Sequence, residues 1–273
     1  MRLIMLAAGR GIRLGRLTDG VPKPLLALPD GTTILERNIR AMEAVARIEG
    51  MLLVSGYAAE MIDAASLRLR MSKSICVQYN PFYRVSGPVV SVWLTRVQMT
   101  EKDFLLCNGD TVYGSGALAS LAEGDARQIA LGVDRRAPRR DDDMKVQLER
   151  KGNLRRVGKD IPRGCAHGVS TGLLAVRGLD LRRAFVAEVC DMIREQGNLR
   201  PSVAWHSILN ALVRKGVSIS TVDLDGRDWH EVDTAEDLRS PRIAPVRPGL
   251  QLSRQEGARE GQRSGKTRKR SGT

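Results

Sequence analysis

The sequence predicts an α/β fold: a three-layer α/β/α sandwich around a mixed, mostly parallel sheet. Three observations carry that expectation. Apolar runs at 3–7, 51–55, 74–78, 103–107 and 128–134 have the length of buried strands. Helical stretches at about 33–47, 58–70, 89–97 and 115–122 separate them, which is the spacing of βαβ units. Gly9, Gly56 and Asp110 close three of those runs, and in such sheets ligands bind outside the carboxyl ends of the strands.

The elements follow in order. Leu3 to Ala8 is an apolar run ending in small residues, a buried strand that opens into a loop at 9–24. A strand at 25–28 and the helix at 33–47 come next. Gly56-Tyr57 ends the strand at 51–55, and the strand at 74–78 leads into a polar loop, 79–88. Asn108-Gly109-Asp110 ends the strand at 103–107. Segments 144–149 and 153–158 read as a hairpin turning at Lys151-Gly152. A strand at 169–177, helices at 179–195 and 203–215 and a strand at 217–223 complete the body. After Trp229-His230-Glu231-Val232-Asp233, Thr234 is the N-cap of a short helix. Residues 1–238 are expected to form one domain and 239–273 a disordered basic tail.

Charge is unevenly placed. The chain carries +13 over 273 residues, but 239–273 holds ten Lys/Arg against Glu256 and Glu260. That net +8 leaves only +5 for the rest, so the balance does not describe a nucleic-acid-binding surface on the folded part. The tail is rich in Pro, Gly, Ser and Arg and poor in groups that build a core. No run of 18 apolar residues is present. The N-terminus enters a strand directly, without a secretory pattern. Cys76, Cys107, Cys165 and Cys190 are widely spaced, which suits reduced thiols and a cytoplasmic location. The sequence calls for no specific nucleic-acid partner and no membrane span, and it is compatible with a homo-oligomer.

The chemistry begins at Leu6-Ala7-Ala8-Gly9-Arg10-Gly11-Ile12-Arg13-Leu14, followed by Pro22-Lys23-Pro24-Leu25. Gly9 and Gly11 free the backbone to turn N–H groups toward a phosphate chain, and Arg13 and Lys23 add fixed cations. Two familiar phosphate loops do not fit. Glycines at 9, 11 and 15 are one residue too long for a dinucleotide fingerprint, and Gly20, Pro22 and Pro24 forbid the long helix it needs. Gly265-Lys266-Thr267 has Glu260 at the leading position of a Walker A loop and no strand before it.

Leu-Ala-Ala-Gly-x-Gly-x-Arg-Leu with Pro-Lys-Pro-Leu about ten residues on resembles the signature of the nucleoside-triphosphate transferase family. The resemblance implies a Rossmann-like, GT-A-like nucleotidyltransferase fold. It also implies a triphosphate wrapped by the loop from Leu6, Ala7, Ala8, Gly9 and Gly11, with Gly56 on the same rim. Arg13 then lies on the β/γ side and Lys23 near the α-phosphate, as the catalytic cations.

Joining two anions requires a cation, and Mg²⁺ is usually held by one or two carboxylates plus phosphates and water. Asp110 follows the run Phe104–Cys107, and Asp233 stands before Thr234-Ala235-Glu236-Asp237-Leu238. Either alone reads as a turn or cap residue. Together they resemble the two metal carboxylates of the family, so Mg²⁺ is the expected cofactor. His167, His206 and His230 are scattered, without a Ser/His/Asp or Cys/His set, and are expected to be structural or peripheral.

Asp141-Asp142-Asp143-Met144-Lys145-Val146, Gly158-Lys159 and Ser170-Thr171-Gly172 recur in an order similar to the inositol-1-phosphate cytidylyltransferase branch. Phosphocholine and phosphonate cytidylyltransferases are near relatives of that branch. The resemblance implies that Lys145 and Lys159 bind the acceptor's phosphate or the nucleotide's α-phosphate, with Thr171 also on the acceptor side, although a solvated hairpin would carry the same lysines. Asn80, Ser86 and Gly87 resemble the segment that closes over the base, but Pro88 stands where such enzymes often have Asn. At 4% aromatic content, with Tyr57, Tyr113, Trp205 and Trp229 as the available rings, a quaternary-ammonium cage is less favoured than a polyol phosphate or phosphonate.

The expected activity is transfer of a nucleoside monophosphate, CMP from CTP, to a small phosphorylated acceptor with release of pyrophosphate. A sugar-1-phosphate uridylyl-, thymidylyl- or guanylyltransferase is the same-chemistry alternative. A nucleotide-binding regulatory subunit without catalysis, or a nucleic-acid-binding protein driven by the tail, are the alternatives of another class.

Overall fold

The computed structural model describes residues 1–69, 71–195, 200 and 203–240. In chain order the elements are β1 (Arg2–Leu6), α1 (Ile34–Glu43), β2 (Gly50–Ser55), α2 (Ala59–Arg68), β3 (Ser74–Tyr79), α3 (Pro88–Leu94), α4 (Arg96–Glu101) and β4 (Phe104–Asn108). β5 (Thr111–Tyr113), α5 (Ser115–Ala122), β6 (Gln128–Asp134), β7 (Lys145–Leu148), β8 (Leu154–Gly158) and β9 (Gly168–Arg177) follow. Then come α6 (Leu179–Arg194), α7 (His206–Arg214), β10 (Ser220–Asp223), β11 (Trp229–Glu231) and α8 (Ala235–Leu238).

The main sheet has the order β10-β6-β9-β4-β1-β2-β3. Along this path the strands run parallel except β9, which is antiparallel to both β4 and β6, and β7 and β8 join the sheet as an antiparallel branch from β9. Period-two alternation divides the apolar side chains between two faces. Leu3, Met5, Leu105 and Cys107 pack with Leu35, Ile39 and Met42 of α1 and Leu118 and Leu121 of α5. Ile4, Phe104, Leu106 and Leu174 face the other way, against Val89 and Val92 of α3, Phe185 and Val189 of α6 and Leu209 of α7. Two separate cores on one sheet are what the three-layer expectation requires.

The reversed β9 decides where the site is built. Running against its neighbours, it starts at the rim where β4 and β6 end, with Cys107 opposite Leu173 and Asp134 opposite Val169. Ser170, Thr171 and Gly172 therefore stand beside the carboxyl ends of β4 and β6. A second device is a two-stranded ribbon, β5 with β11, which pairs Thr111 with Glu231. It brings a segment from the end of the described chain to the end of β4.

Three local expectations need correction. The strand expected at 25–28 is a 3-10 turn, Lys23–Leu25, followed by one isolated bridge, Ala27 with Thr33; Pro22 and Pro24 deny the segment the N–H groups of a ladder. The single helix at 89–97 is two, α3 and α4, separated at Thr95, whose hydroxyl bonds back to the Val92 carbonyl at 2.8 Å. β5 is not foreseen, because three residues are too short to show a period. No helix among the described residues is long and apolar enough to cross a membrane. The expected tail lies outside the described residues from 241 onward.

Candidate active site

A cavity of about 1320 Å³ opens at the rim and is lined by the β1 loop, segment 80–91, Asn108 to Asp110, the start of β9 and β11. That is more room than one drug-sized ligand needs, so two small substrates fit side by side.

The β1 loop forms one wall. Gly11 has φ +64°, and a Cβ there would lie 3.1 Å from Thr18 Cγ2 and 3.3 Å from Lys23 Cβ, so glycine is required. The buried Thr18 hydroxyl donates to the carbonyls of Gly11 and Gly15, both at 3.1 Å, folding the loop on itself. Tyr57 pins it from behind: its hydroxyl accepts from Gly20 N at 2.8 Å and donates to the Thr18 carbonyl at 3.3 Å, while Arg10 lies over its ring. Leu6, Ala8, Gly9, Arg10, Gly11 and Arg13 line the cavity, whereas Ala7 and Gly56 do not. Gly56 supports the wall instead, since a Cβ there would meet Ala8 Cβ and its carbonyl oxygen at 2.7 Å.

Lys23 does not itself line the cavity; only 6% exposed, it lies behind the carboxylates that do, with Nζ 2.8 Å from Asp233 Oδ1 and 3.2 Å from Asp110 Oδ2. Burial opposes its charge, but the two carboxylates outweigh it and hold the ammonium above its ordinary pKa. Arg13 Nη1 reaches Asp233 Oδ2 at 3.0 Å. Glu231 is the third carboxylate, and ligand oxygens of Asp110, Glu231 and Asp233 all lie within 4.8 Å of one another. Burial, and then the charges of Asp110 and Asp233, push Glu231 up to about 8. All three are oxygen ligands of the kind a hard divalent cation takes. The residues fit such an ion.

Sequence reading missed Glu231. Its signal was available: Glu231 and Asp233 are two apart on an extended segment, hence on one face. The clip that holds the ribbon was also missed. Asn38, buried on α1, donates to the Thr111 carbonyl at 2.8 Å and accepts from Tyr113 N at 2.9 Å. The Val232 amide bonds the Asp110 carbonyl at 2.9 Å, and Thr234 caps α8 through a capping box with Asp237.

Segment 80–91 closes the far end. Asn80, Ser86 and Gly87 line it, but the Asn80 amide is spent on Ser91 Oγ and Phe82 N, both at 2.9 Å. Pro88 is the first residue of α3, a position where the missing N–H costs nothing. A Cβ on Gly87 would lie 2.6 Å from the Arg200 carbonyl oxygen.

The acceptor wall divides the expected residues. Thr171 and Lys159 line the cavity; Lys145 does not. Its Nζ is buried against the carbonyls of Arg140 and Asp141 at 3.2 and 2.9 Å. Asp142 bridges the two walls, paired with Lys159 and with Arg13. Hydrogen bonding to Lys159, with Arg13 adding charge, holds its carboxyl below the usual range. Of the rings named as cage donors, Trp205 and Trp229 line the cavity; Trp205 Nε1 is bonded to Asn108 Oδ1 at 2.8 Å and Trp229 Nε1 to Asp134 Oδ2 at 3.1 Å, while Tyr113 donates to the Thr171 carbonyl at 2.8 Å.

Residues 3–138 match the model of the MobA-like NTP transferase domain. The chain belongs to the nucleoside-triphosphate transferase family. Among curated relatives, it is 30% identical over 241 residues to the bifunctional IPC transferase and DIPP synthase of Rubrobacter xylanophilus, covering 86% of this chain and 50% of that protein. The CMP-5'-(3-aminopropyl)phosphonate synthase of Streptomyces rubellomurinus is 26% identical over 253 residues, with 90% of this chain and 39% of that protein covered. The chain thus spans about half, or less, of the length of these relatives. The inositol-1-phosphate CTP transferase from T. maritima superposes with a TM-score of 0.69 at 22% identity, covering 88% of this chain and 91% of that one. The CTP:phosphocholine cytidylyltransferase from Streptococcus pneumoniae gives 0.69 at 15%, covering 86% and 95%. These likenesses establish the transferase fold.

His206, one of the three histidines expected to be structural or peripheral, is buried, and its Nε2 lies 2.8 Å from Ser170 Oγ. The two are 36 positions apart, which no local motif reveals.

Proposed function

We propose that this chain is a Mg²⁺-dependent nucleotidyltransferase that moves CMP from CTP to a small phosphorylated acceptor and releases pyrophosphate. The acceptor class is a polyol or inositol phosphate, phosphocholine or a phosphonate. The observation that carries the reading is Lys23 held between Asp110 and Asp233, with Glu231 beside them, beneath a glycine loop.

Asp110, Glu231 and Asp233 would hold the cation, which when bound neutralises phosphate charge and fixes its geometry. The chain's own groups do the rest. The backbone of Gly9 to Arg13 wraps the triphosphate, Arg13 meets its β/γ end and Lys23 its α-phosphate. Lys159 and Thr171 receive the acceptor, and Lys145 holds the 140–143 loop so that Asp142 and Lys159 meet. An acceptor phosphoryl oxygen attacks the α-phosphorus; that P–O bond forms as the bond to the β-phosphate oxygen breaks, and pyrophosphate departs with the electron pair. No protein nucleophile is needed, so positioning and charge carry the catalysis.

CTP is favoured over other nucleotides by the CMP and CTP in the names of three of the relatives and neighbours. The transfer unit is assigned to residues 1–238 and the setting to the cytoplasm. Pyrophosphate release should be measured with each of four NTPs, against a sugar 1-phosphate for comparison and against inositol 1-phosphate, phosphocholine and 2-aminoethylphosphonate, at millimolar Mg²⁺. Turnover with CTP and one of these is expected; no turnover with any pair defeats the reading, and turnover only with UTP and a sugar 1-phosphate replaces it.

A further inference from the structure

Ser170 stands at the start of β9, in the cavity wall that also carries Thr171, Lys159 and His206. Its hydroxyl oxygen has two protein neighbours. The amide of Gly172, a residue with φ +71°, donates to it at 3.1 Å. His206 Nε2 lies 2.8 Å away. His206 is 3% exposed, stacked on Trp205 with ring centroids 3.9 Å apart. Burial, with the charge of Lys159 adding, forces its pKa down to about 3. The imidazole is therefore neutral and carries one proton.

Which nitrogen holds that proton follows from its other side. Nδ1 is buried and has no hydrogen-bond partner. An orphaned buried N–H costs more than an under-used lone pair, and orphaned donors are the rarer case. The proton accordingly sits on Nε2 and is donated to Ser170. A serine oxygen has two lone pairs and one proton. With the Gly172 and His206 N–H groups on the lone pairs, the hydroxyl proton has no acceptor among the described residues.

We propose that Ser170 points its hydroxyl proton into the cavity as a fixed donor to a phosphoryl oxygen of the acceptor, and that His206 is the positioning residue that sets this polarity. The assignment to the acceptor rests on the transferase reading above. It is a phosphoryl oxygen because the Lys159 ammonium shares the wall, and an anionic oxygen accepts from both. The pair is not a base and nucleophile: the imidazole already donates to the oxygen it would have to deprotonate.

Two measurements test this. In ¹⁵N-histidine NMR, with His206 assigned by its loss in His206→Gln, the resonances should report the Nε2–H form from pH 5 to 8. Adding inorganic phosphate should shift them in the native protein and not in Ser170→Ala. An Nδ1–H imidazole, or resonances that phosphate leaves unmoved, overturns the proposal whatever the activity. In kinetics, Ser170→Ala and His206→Phe should raise the acceptor KM about tenfold or more, with the CTP KM unchanged. Ser170→Thr and His206→Gln, which keep a hydroxyl and a donor, should stay near native. An unchanged acceptor KM in Ser170→Ala defeats this assignment alone, whereas a native protein that transfers to no acceptor defeats the transferase reading.

Discussion

Lys23 Nζ sits 2.8 Å from Asp233 Oδ1 although 210 positions separate them in the chain. The ribbon of β5 and β11 makes that contact. It lays Asp233 beside Asp110 and leaves Lys23 between them, where a phosphate oxygen and a divalent cation would share the same charges.

Lys23→Ala removes the only buried ammonium seen among these three carboxylates in the described residues. Turnover should fall by about 100- to 1,000-fold, as for loss of a fixed transition-state donor. The apo protein should also melt lower, because like charges remain together, and added Mg²⁺ should recover the melting temperature without recovering the rate. Calorimetry with and without Mg²⁺ checks this.

Glu231→Gln tests the carboxylate that sequence reading overlooked. Titration calorimetry with Mn²⁺ should give at least about tenfold weaker binding, the lower range for disturbed metal sites. Equal affinity would remove Glu231 from the ligand set.

Asn38→Ala breaks the clip between α1 and β5. The Thr111 carbonyl and the Tyr113 amide are left without their partner, which costs about 1–3 kcal/mol for a buried group. Urea denaturation should register this loss, and turnover should fall with it because the ribbon carries Glu231 and leads to Asp233. A stable variant with reduced turnover would still place the clip under the site; native stability and native turnover together would contradict it.

His206 sets a pH dependence. Its folded pKa of about 3 lies below the unfolded value of 6.5, so the unfolded chain binds the extra proton between those limits. The contribution of His206 is whole above pH 6.5 and declines as pH falls toward 3, by on the order of 5 kcal/mol if the shift is fully expressed. His206→Gln should flatten the slope of unfolding free energy between pH 7 and 4.5, as read from urea titrations at each pH.

Gly109→Ala probes close packing beneath Asp110. A Cβ there would lie 2.4 Å from the Leu6 carbonyl oxygen and 2.8 Å from Ala7 Cα. The ends of β1 and β4 must then separate, moving Asp110 from Lys23. A loss of turnover of about 100-fold, as for 1 Å misplacements of reacting groups, is expected in steady-state assays.

What the sequence made legible is what has a local signature. The helix at 115–122 and the strand at 128–134 fall where their patterns put them, because apolar period and turn residues are properties of neighbours in the chain. Thr234 as a cap was equally local. Lys23, Asp110 and Asp233 were found through a signature and a strand end, and the fold brings them together. Contacts made by tertiary pairing left no such trace. The reversal of β9 depends on a crossover, the Asn38 clip joins α1 to a three-residue strand, and Ser170 meets His206 across α6. Lys145 shows the opposite error: a lysine on a hairpin looks exposed, yet its ammonium is wrapped by loop carbonyls.

The central claim is nucleotidyl transfer at the Lys23, Asp110 and Asp233 floor, and phosphorus NMR of a reaction with CTP, Mg²⁺ and the accepted phosphorylated compound tests it most directly. Equal amounts are expected of free pyrophosphate and of a new product whose two phosphorus atoms are coupled through one oxygen, with neither formed by Asp110→Asn. CTP left intact, CTP hydrolysed to CMP without the coupled product, or full product formation by Asp110→Asn would contradict it.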